Sequence, residues 1–139
     1  MELCNEIVRL RGCGKVRCGI REHSVVPSVS AVARSFELFE DAACYTEVTF
    51  TQALAILTRI LHRDMAYGSE LMAPGVAATL ASSFLEQTSS PACSYFSNGD
   101  FFEESSSHGW NPATQATFDT GVLVVGVERA GCLWVEDED

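Results

Sequence analysis

Two apolar runs near the C-terminal end of the chain constrain its fold more than any other feature. They span Val122 to Val127 and Cys132 to Val135, and the segment from Glu128 to Gly131 between them has the composition of a turn. The first four residues of the first run are all apolar, without the alternation of a strand that faces water on one side. The sequence therefore predicts a central strand covered on both faces, with a second strand beside it, so other segments must pack against this pair.

A further strand signal lies near the N-terminus, in the stretch RLRGCGKVRCGIRE at residues 9–22. Side chains of two kinds alternate along it with a period of two, and the Gly-Cys-Gly sequence at 12–14 suits a tight turn. The alternation predicts a hairpin with strands near 6–11 and 15–21, one face of which would carry a basic ladder. The ladder consists of Arg9, Arg11, Lys15, Arg17 and Arg21.

Like charges at this density repel one another across paired strands, so we expect an acidic group against the basic ladder. The chain ends in four acidic residues, Glu136 to Asp139, directly after the second C-terminal apolar run. A strand at 132–136 beside the strand at 15–21 would bring this acidic tail to the ladder. We therefore predict that the ladder contacts the acidic tail, either of the same chain or of a second copy in a homodimer. An external nucleotide or nucleic acid is the alternative ligand.

The sequence lacks the usual signals for a metal or a cofactor. Cys13 and Cys18 are separated by four residues, but structural zinc needs a second close ligand pair, and Cys93, His108 and Cys132 do not form one. The glycines of the N-terminal turn lack the third glycine of a dinucleotide fingerprint, and the chain has no Gly-Lys-Ser/Thr. We predict no metal and no cofactor.

The N-terminal ten residues include two acids and lack the long apolar core of a secretory signal, which predicts a cytoplasmic protein. No uncharged run is long enough to span a bilayer, so we expect no membrane partner. Cysteines remain thiols in a reducing cytosol, and we therefore predict no disulfide. The six expected thiols are Cys4, Cys13, Cys18, Cys44, Cys93 and Cys132.

Helical patterns occupy the middle of the chain. Residues 49–65 have an apolar stripe at helical spacing, and Thr49 with Gln52 predicts a capping box at the start. Residues 73–87 form a second candidate helix, with Pro74 in its first turn. A third candidate, Pro27 to Phe39, contains enough valine that a strand is the alternative for part of it.

The segment from Thr88 to Pro112 combines aromatic and acidic residues and contains Asn98-Gly99, a strong signal for a two-residue hairpin turn. Such a turn would set Phe96 opposite Phe101 and Tyr95 opposite Phe102. Aromatic anchors inside an acidic rim are typical of a protein-binding site, and the alternative is that the aromatic residues are core. The predicted partner-binding residues are Tyr95, Phe96, Asp100, Phe101, Phe102, Glu103, Glu104 and Trp110.

Together these patterns predict one α+β domain over residues 1–139. An antiparallel sheet of about four to six strands would be built from both termini and the Asn-Gly hairpin, with two or three helices packed on one face.

The formal net charge of −10 favours a binding protein whose partner has a basic surface. Residues 1–35 hold six Lys/Arg and three Asp/Glu, whereas residues 36–139 hold three and sixteen. We expect an inhibitor, like immunity and anti-defence proteins in size and charge though without a shared motif. One alternative is a nucleotide or nucleic-acid binder using the basic ladder. Another is a small enzyme using His62 or His108 with nearby carboxylates, although no catalytic triad or paired-carboxylate spacing is present.

Overall fold

The computed structural model of the protein describes residues 1–99 and 111–138. The strands within these ranges form one antiparallel sheet in the order β1-β5-β4-β3-β2. The elements in chain order are α1 (Glu2–Arg11), β1 (Lys15–Glu22), α2 (Val29–Ser35), a 3-10 turn (Ala42–Cys44), β2 (Thr46–Val48), α3 (Phe50–His62), α4 (Pro74–Thr88), β3 (Ser94–Ser97), β4 (Phe118–Val125) and β5 (Arg129–Asp137). The predicted α+β fold with an antiparallel sheet of four to six strands is confirmed.

Strands β4 and β5 form the centre of the sheet, as the apolar C-terminal runs predict. They pair from Phe118 with Asp137 to Val125 with Ala130, and a tight turn at 127–128 joins them. Nearly every residue of the two strands is buried. The reason is that both faces of the sheet are covered.

Helices cover both faces, which corrects the prediction of helices on one face. On the first face, α1, α3 and α4 pack against Val122, Val124, Leu133 and Val135. On the second face, α2 and the segment that follows it pack against the remaining side chains of β4 and β5. This second cluster includes Val32, Phe36, Leu38, Tyr45, Leu123, Cys132 and Trp134. Because the central strands are apolar on both sides, a single helical layer would leave half of their side chains in water.

The start signals of the two long helices are confirmed. At α3 the Thr49 hydroxyl accepts a hydrogen bond from the Gln52 amide at 3.1 Å, and the Gln52 side chain accepts one from the Thr49 amide at 2.9 Å. Helix α4 begins at Pro74, whose ring occupies a position where no amide proton is needed. Together these two helices supply most of the first layer.

Residues 2–11 form helix α1, so the predicted strand at 6–11 is wrong. Leu3, Ile7 and Leu10 repeat at helical spacing and face the first core cluster. Gly12 ends the helix in the left-handed conformation at φ 69°, and its amide donates to the Val8 carbonyl. Alternation over so few residues before the glycines fits a helix face equally well, and burial of this apolar stripe decides between them.

Strand β1 lies antiparallel to β5, with Lys15 opposite Glu136 and Glu22 opposite Arg129. The predicted neighbourhood of residues 15–21 and 132–136 is therefore confirmed. Gly14 makes the entry to β1 possible, because it has φ 66° and an added Cβ would collide with the Glu136 carbonyl and the Asp137 side chain.

A disulfide joins Cys4 of α1 to Cys18 of β1, which overturns the prediction of six thiols. The Cα atoms of the pair are 5.4 Å apart, within the range that a disulfide requires. Helix α1 packs beside β1, and this packing brings the two sulfur atoms together, whereas a strand at 6–11 would not have predicted the pair. The cysteines that remain free are Cys13, Cys44, Cys93 and Cys132.

Strand β3 does not form the predicted aromatic hairpin. Tyr95 pairs with Val48 of β2 on one side and with Val124 of β4 on the other. Phe96 is likewise paired on both sides, so the backbone groups that a two-residue hairpin would use are already occupied. The other predicted half of that hairpin falls within 100–110 and lies outside the described residues.

Candidate functional site

Arg11 is buried and is bound by the C-terminal end of the sheet. Its guanidinium donates two parallel hydrogen bonds to the Asp137 carboxylate, at 2.8 and 2.6 Å, and is 0% exposed against 3% for its partner. Two further bonds run to the carbonyl oxygens of Ile60 and Cys13. Asp137 also accepts the Met65 amide at 2.9 Å. The end of the chain therefore ties α1, α3 and the following loop to β5, and Asp137 is a strand residue rather than part of a solvated tail.

The other members of the basic ladder are divided between two elements. Arg9 lies in the last turn of α1, whereas Lys15, Arg17 and Arg21 share the face of β1 that points toward α2. Arg17 pairs with Glu136 at 2.6 Å. Arg21 stacks 4.2 Å above the Phe36 ring, and Lys15 is exposed. Two of the five basic residues thus contact the acidic tail of the same chain, and a continuous ladder does not form.

Asp119 is a second buried carboxylate, and no local sequence pattern predicts its role. It is 0% exposed and accepts hydrogen bonds from the Trp134 indole at 3.0 Å and from the side-chain amide of Asn98 at 3.0 Å. The Ala113 amide and the Thr114 amide and hydroxyl bind the same carboxylate at 3.1–3.3 Å. Burial raises the pKa of Asp119, and these hydrogen bonds oppose the shift.

Asn98 and Asn111 hold the two ends of the segment between them together. The Asn111 amide donates to the Asn98 carbonyl at 2.7 Å, and the Asn98 side chain donates to the Asn111 carbonyl at 2.8 Å. Thr120 adds a bond to Asn98, which is 1% exposed. The predicted partner-binding residues Asp100, Phe101, Phe102, Glu103, Glu104 and Trp110 lie outside the described residues. Asn98, a turn residue in the sequence, is therefore a buried clamp.

Tyr95 and Phe96, the other two predicted partner-binding residues, lie on opposite faces of β3. The Tyr95 ring packs edge-on against Phe50 at 5.7 Å, and its hydroxyl is 2.8 Å from the Ser89 hydroxyl and 3.3 Å from the Cys93 sulfur. Phe96 packs against the second core cluster. Both rings are half-buried, so each contributes to the core and keeps an accessible part.

An open cleft of about 480 Å³ runs along the β2 edge of the sheet. Its lining includes Glu47, Phe50, Gln52, Cys93 and Tyr95. Phe50 is 42% exposed because the capping box places it at the outer start of α3. The sequence does not predict this cleft, since its lining residues come from two segments, 47–52 and 93–95, that are far apart in the chain.

An acidic segment, residues 37–47, leads into this cleft. Its exposed carboxylates belong to Glu37, Glu40, Asp41 and Glu47, and it also exposes 42% of Phe39. The segment is anchored, because the Phe39 amide donates to the Ala113 carbonyl at 2.7 Å and the Tyr45 hydroxyl donates to the Phe39 carbonyl. Acidic and aromatic groups are therefore displayed from a fixed backbone beside the Asn98 clamp.

Among the described residues, a larger fraction of the basic side chains than of the acidic ones is engaged within the chain. Arg34 pairs with Glu40 at 3.5 Å, Arg63 donates to the Gly68 carbonyl, and Arg129 donates to carbonyl oxygens at the end of α4. Arg11, Arg17 and Arg21 are engaged as described above. Within residues 1–99 and 111–138, the exposed carboxylates without an ion pair are those of Glu2, Glu6, Glu22, Glu37, Asp41, Glu47, Glu86, Glu128 and Glu138.

Each histidine in the described ranges has a ring nitrogen in contact with a backbone carbonyl oxygen. His62 contacts the Met72 carbonyl through Nδ1 at 2.8 Å and lies 3.9 Å from Glu70, and His23 contacts the Gly126 carbonyl at 2.8 Å. His108 lies outside the described residues.

Burial raises the pKa of the Cys13, Cys44 and Cys132 thiols, which disfavours reactive thiolates.

In the part of the chain that the structure describes, no group of three or more His, Cys, Asp or Glu side chains could hold a metal ion. None of the helices in that part is both long enough and apolar enough to cross a bilayer. Comparisons of the chain with models of protein families, with curated protein sequences and with solved structures found no match.

Proposed function

We propose that the protein is a small acidic binding protein that covers a basic surface of another macromolecule, as an inhibitor does. The observation that carries the proposal is the asymmetry in the use of charge. At least six of the nine basic residues contact groups of the same chain, whereas seven exposed carboxylates form neither an ion pair nor a hydrogen bond within residues 1–99 and 111–138, namely those of Glu2, Glu6, Glu22, Glu37, Glu47, Glu86 and Glu128. Unpaired surface charge of one sign steers and orients a partner of the opposite sign.

The acidic segment and the cleft beside it are the best-supported contact surface. The acidic segment displays Glu40 next to the exposed ring of Phe39, and the cleft displays Glu47 with the exposed ring of Phe50. Aromatic anchors surrounded by charge are the usual composition of a strong protein–protein contact. Asn98 and Asn111, which bind each other, flank a stretch whose sequence contains three further acids and three aromatic residues.

The two alternatives have less support. A phosphate-binding ladder would need several available cations, but Arg11 is buried by Asp137 and Arg17 is paired with Glu136. An enzyme built on His62 would act through Nε2, since Nδ1 contacts the Met72 carbonyl, and the group that lies near Nε2 is the exposed Glu70 carboxylate at 3.9 Å. An acidic binding protein needs exposed carboxylates that form no ion pair within the described part of the chain, and these are present.

The proposal is tested by reversing charge in one place and not in another. The site variant carries Glu37→Lys and Glu47→Lys, and the control variant carries Glu6→Lys and Glu86→Lys, all at exposed carboxylates without an ion pair in the described ranges. Both change the net charge equally, and both alter exposed residues. Tagged protein is used to capture partners from native host extract, with quantitative mass spectrometry.

We expect the wild type and the control to enrich the same basic protein, and the site variant to lose it by at least tenfold. Equal loss in both variants would show that bulk charge alone causes capture. Retention by the site variant would place the contact elsewhere. Thermal unfolding followed by circular dichroism verifies that both variants are folded.

A further inference from the structure

Strand β1 is an edge strand of the sheet formed by the described residues. It pairs with β5 over all eight of its residues, and within the described residues no other strand pairs with it. The opposite edge strand, β2, has only three residues. An eight-residue edge offers a row of backbone donors and acceptors long enough for another strand to add to the sheet.

The ladder pattern identifies which backbone groups of β1 face outward. The His23 amide donates to the Glu128 carbonyl at 3.0 Å and continues the register of β1 with β5. Hydrogen-bonded pairs alternate along an antiparallel ladder, so Lys15, Arg17, Gly19 and Arg21 face β5. The residues between them, Val16, Cys18, Ile20 and Glu22, point their amides and carbonyls away from the sheet. None of these four is buried.

Three of the eight residues of this edge strand are basic, and one, Glu22 at its end, is acidic. Lys15, Arg17 and Arg21 share one face of β1, and Arg17 is offset by Glu136. Lys15 is exposed, and the exposed Arg21 is held in place above Phe36. A strand laid along β1 would therefore place alternate side chains beside three cations, of which Lys15 is exposed, Arg17 is paired with Glu136, and Arg21 donates to the Ser35 carbonyl at 3.3 Å while it remains exposed.

We propose that the outer edge of β1 binds an extended acidic segment of a partner protein by strand addition. The backbone of Val16, Cys18 and Ile20 would supply the hydrogen bonds, and Lys15 and Arg21 would select carboxylates at every second position. The partner segment would run as a sixth strand. This site is distinct in position and in charge from the acidic surface.

A second copy of the chain is a poor occupant of the same edge. Two β1 strands paired antiparallel about a two-fold axis at Gly19 would set Arg17 opposite Arg21 of the other copy. An axis at Cys18 would set Lys15 opposite Arg21. Directly opposed like charges destabilise a strand pair, so charge favours an acidic partner over self-pairing.

The experiment uses the intact protein and two capped octapeptides of sequence Glu-Thr-Glu-Val-Glu-Thr-Glu-Val and Lys-Thr-Lys-Val-Lys-Thr-Lys-Val. Amide hydrogen exchange followed by nuclear magnetic resonance reports which backbone groups each peptide protects. We expect the glutamate peptide to slow exchange at Val16, Cys18 and Ile20, and the lysine peptide to leave them unchanged. High salt should weaken the binding.

Two kinds of variant separate backbone from charge. Ile20→Pro removes an outward amide, which an edge strand tolerates, and should weaken binding of the glutamate peptide at least tenfold. The control Ile20→Val keeps the amide and should keep the binding. The double variant Lys15→Glu with Arg21→Glu should weaken binding of the glutamate peptide by a similar factor without altering the backbone. If the proline variant does not fold, this double variant tests the proposal by itself. Absence of protection at the three amides, or equal binding of both peptides, would overturn the proposal. So would a dimer in light scattering that Ile20→Pro dissociates, because a second copy would then occupy the edge.

Discussion

Two carboxylates are buried at the same end of the β4–β5 hairpin, one on each face of the sheet, and the chain stabilises them differently. Asp137 faces the helices of the first layer and is bound by the Arg11 guanidinium, a full positive charge. Asp119 faces the second layer and is bound by neutral donors from Trp134, Asn98 and the 113–114 backbone. Each solution satisfies the carboxylate, but the two connect different parts of the molecule.

The ion pair joins residues 126 positions apart in the chain and fixes the N-terminal helix to the last strand. The neutral network is more local, and it organises the loop residues around the Asn98 clamp, where the proposed acidic surface begins. A guanidinium can be replaced only with the loss of a charge, whereas one of several neutral donors can be lost with the others in place. The comparison predicts a larger penalty at Arg11 than at Asp119.

The largest expected effect is that of Arg11→Met. Methionine removes the cation and leaves the Asp137 carboxylate buried without a counter-charge, which typically costs about 3–5 kcal/mol. Chemical denaturation of the variant and the wild type measures the free energy of unfolding. Arg11→Met combined with Asp137→Leu is the control, because it removes both charges and should recover much of the loss. If the single variant loses less than about 1 kcal/mol, the pair does not hold α1.

The disulfide should contribute the next largest effect. Cys4 and Cys18 are 14 positions apart, and closing a loop of that length is worth about 3 kcal/mol in the chain-entropy account. We expect Cys4→Ser with Cys18→Ser to lower the free energy of unfolding by about that amount. Cys13→Ser alters a free thiol and serves as the control. Thiol titration under denaturing conditions should find four groups, and six would show that the disulfide does not form.

Asp119→Asn should cost less, about 1.5–3 kcal/mol at neutral pH, because it weakens charge-assisted hydrogen bonds but keeps one acceptor. Burial raises the pKa of Asp119 above its usual value of 3.8. Stability from this group is therefore complete below pH 3.8 and is lost as the pH rises through the folded-state pKa. The deficit of the asparagine variant should consequently grow on acidification, as denaturation at several pH values would show. A deficit that shrinks on acidification would mean that the hydrogen bonds outweigh burial.

The two buried carboxylates also differ in how far the sequence predicts them. The run of acids at 136–139 and the basic residues at 9–21 predict that opposite charges meet, and the pairing of β1 with β5 follows from the same pattern. The sequence does not predict that Arg11 is buried, because its alternation concealed a helix. Asp119 carries no such signal, since its donors come from three separate segments that only the folded chain brings together. Local periodicity predicts faces and strands, whereas buried polar networks depend on tertiary contacts.

The disulfide and the β2 cleft have the same explanation. Cys4 meets Cys18 only because α1 packs beside β1, and no spacing rule predicts that contact. Glu47, Phe50 and Tyr95 form the cleft because β2 inserts beside β3 and the capping box orients the start of α3. Among the strong local signals, the capping box and the apolar C-terminal runs predict structure correctly, whereas Asn98-Gly99 does not, because β3 is paired on both sides.

The smallest expected effect tests whether burial explains why the two ion pairs contribute differently to stability. Arg17 and Glu136 lie 2.6 Å apart, as close as Arg11 and Asp137, but their side chains remain 13% and 16% exposed. Water and salt screen a partly exposed pair, so Glu136→Gln should cost about 1 kcal/mol or less, and the loss should shrink in high salt. Glu2→Gln, which alters an exposed carboxylate without an ion pair, is the control and should change stability less still. Denaturation at low and high salt measures both variants. A loss of about 3 kcal/mol for Glu136→Gln, unaffected by salt, would show that distance rather than burial sets the strength of the two pairs.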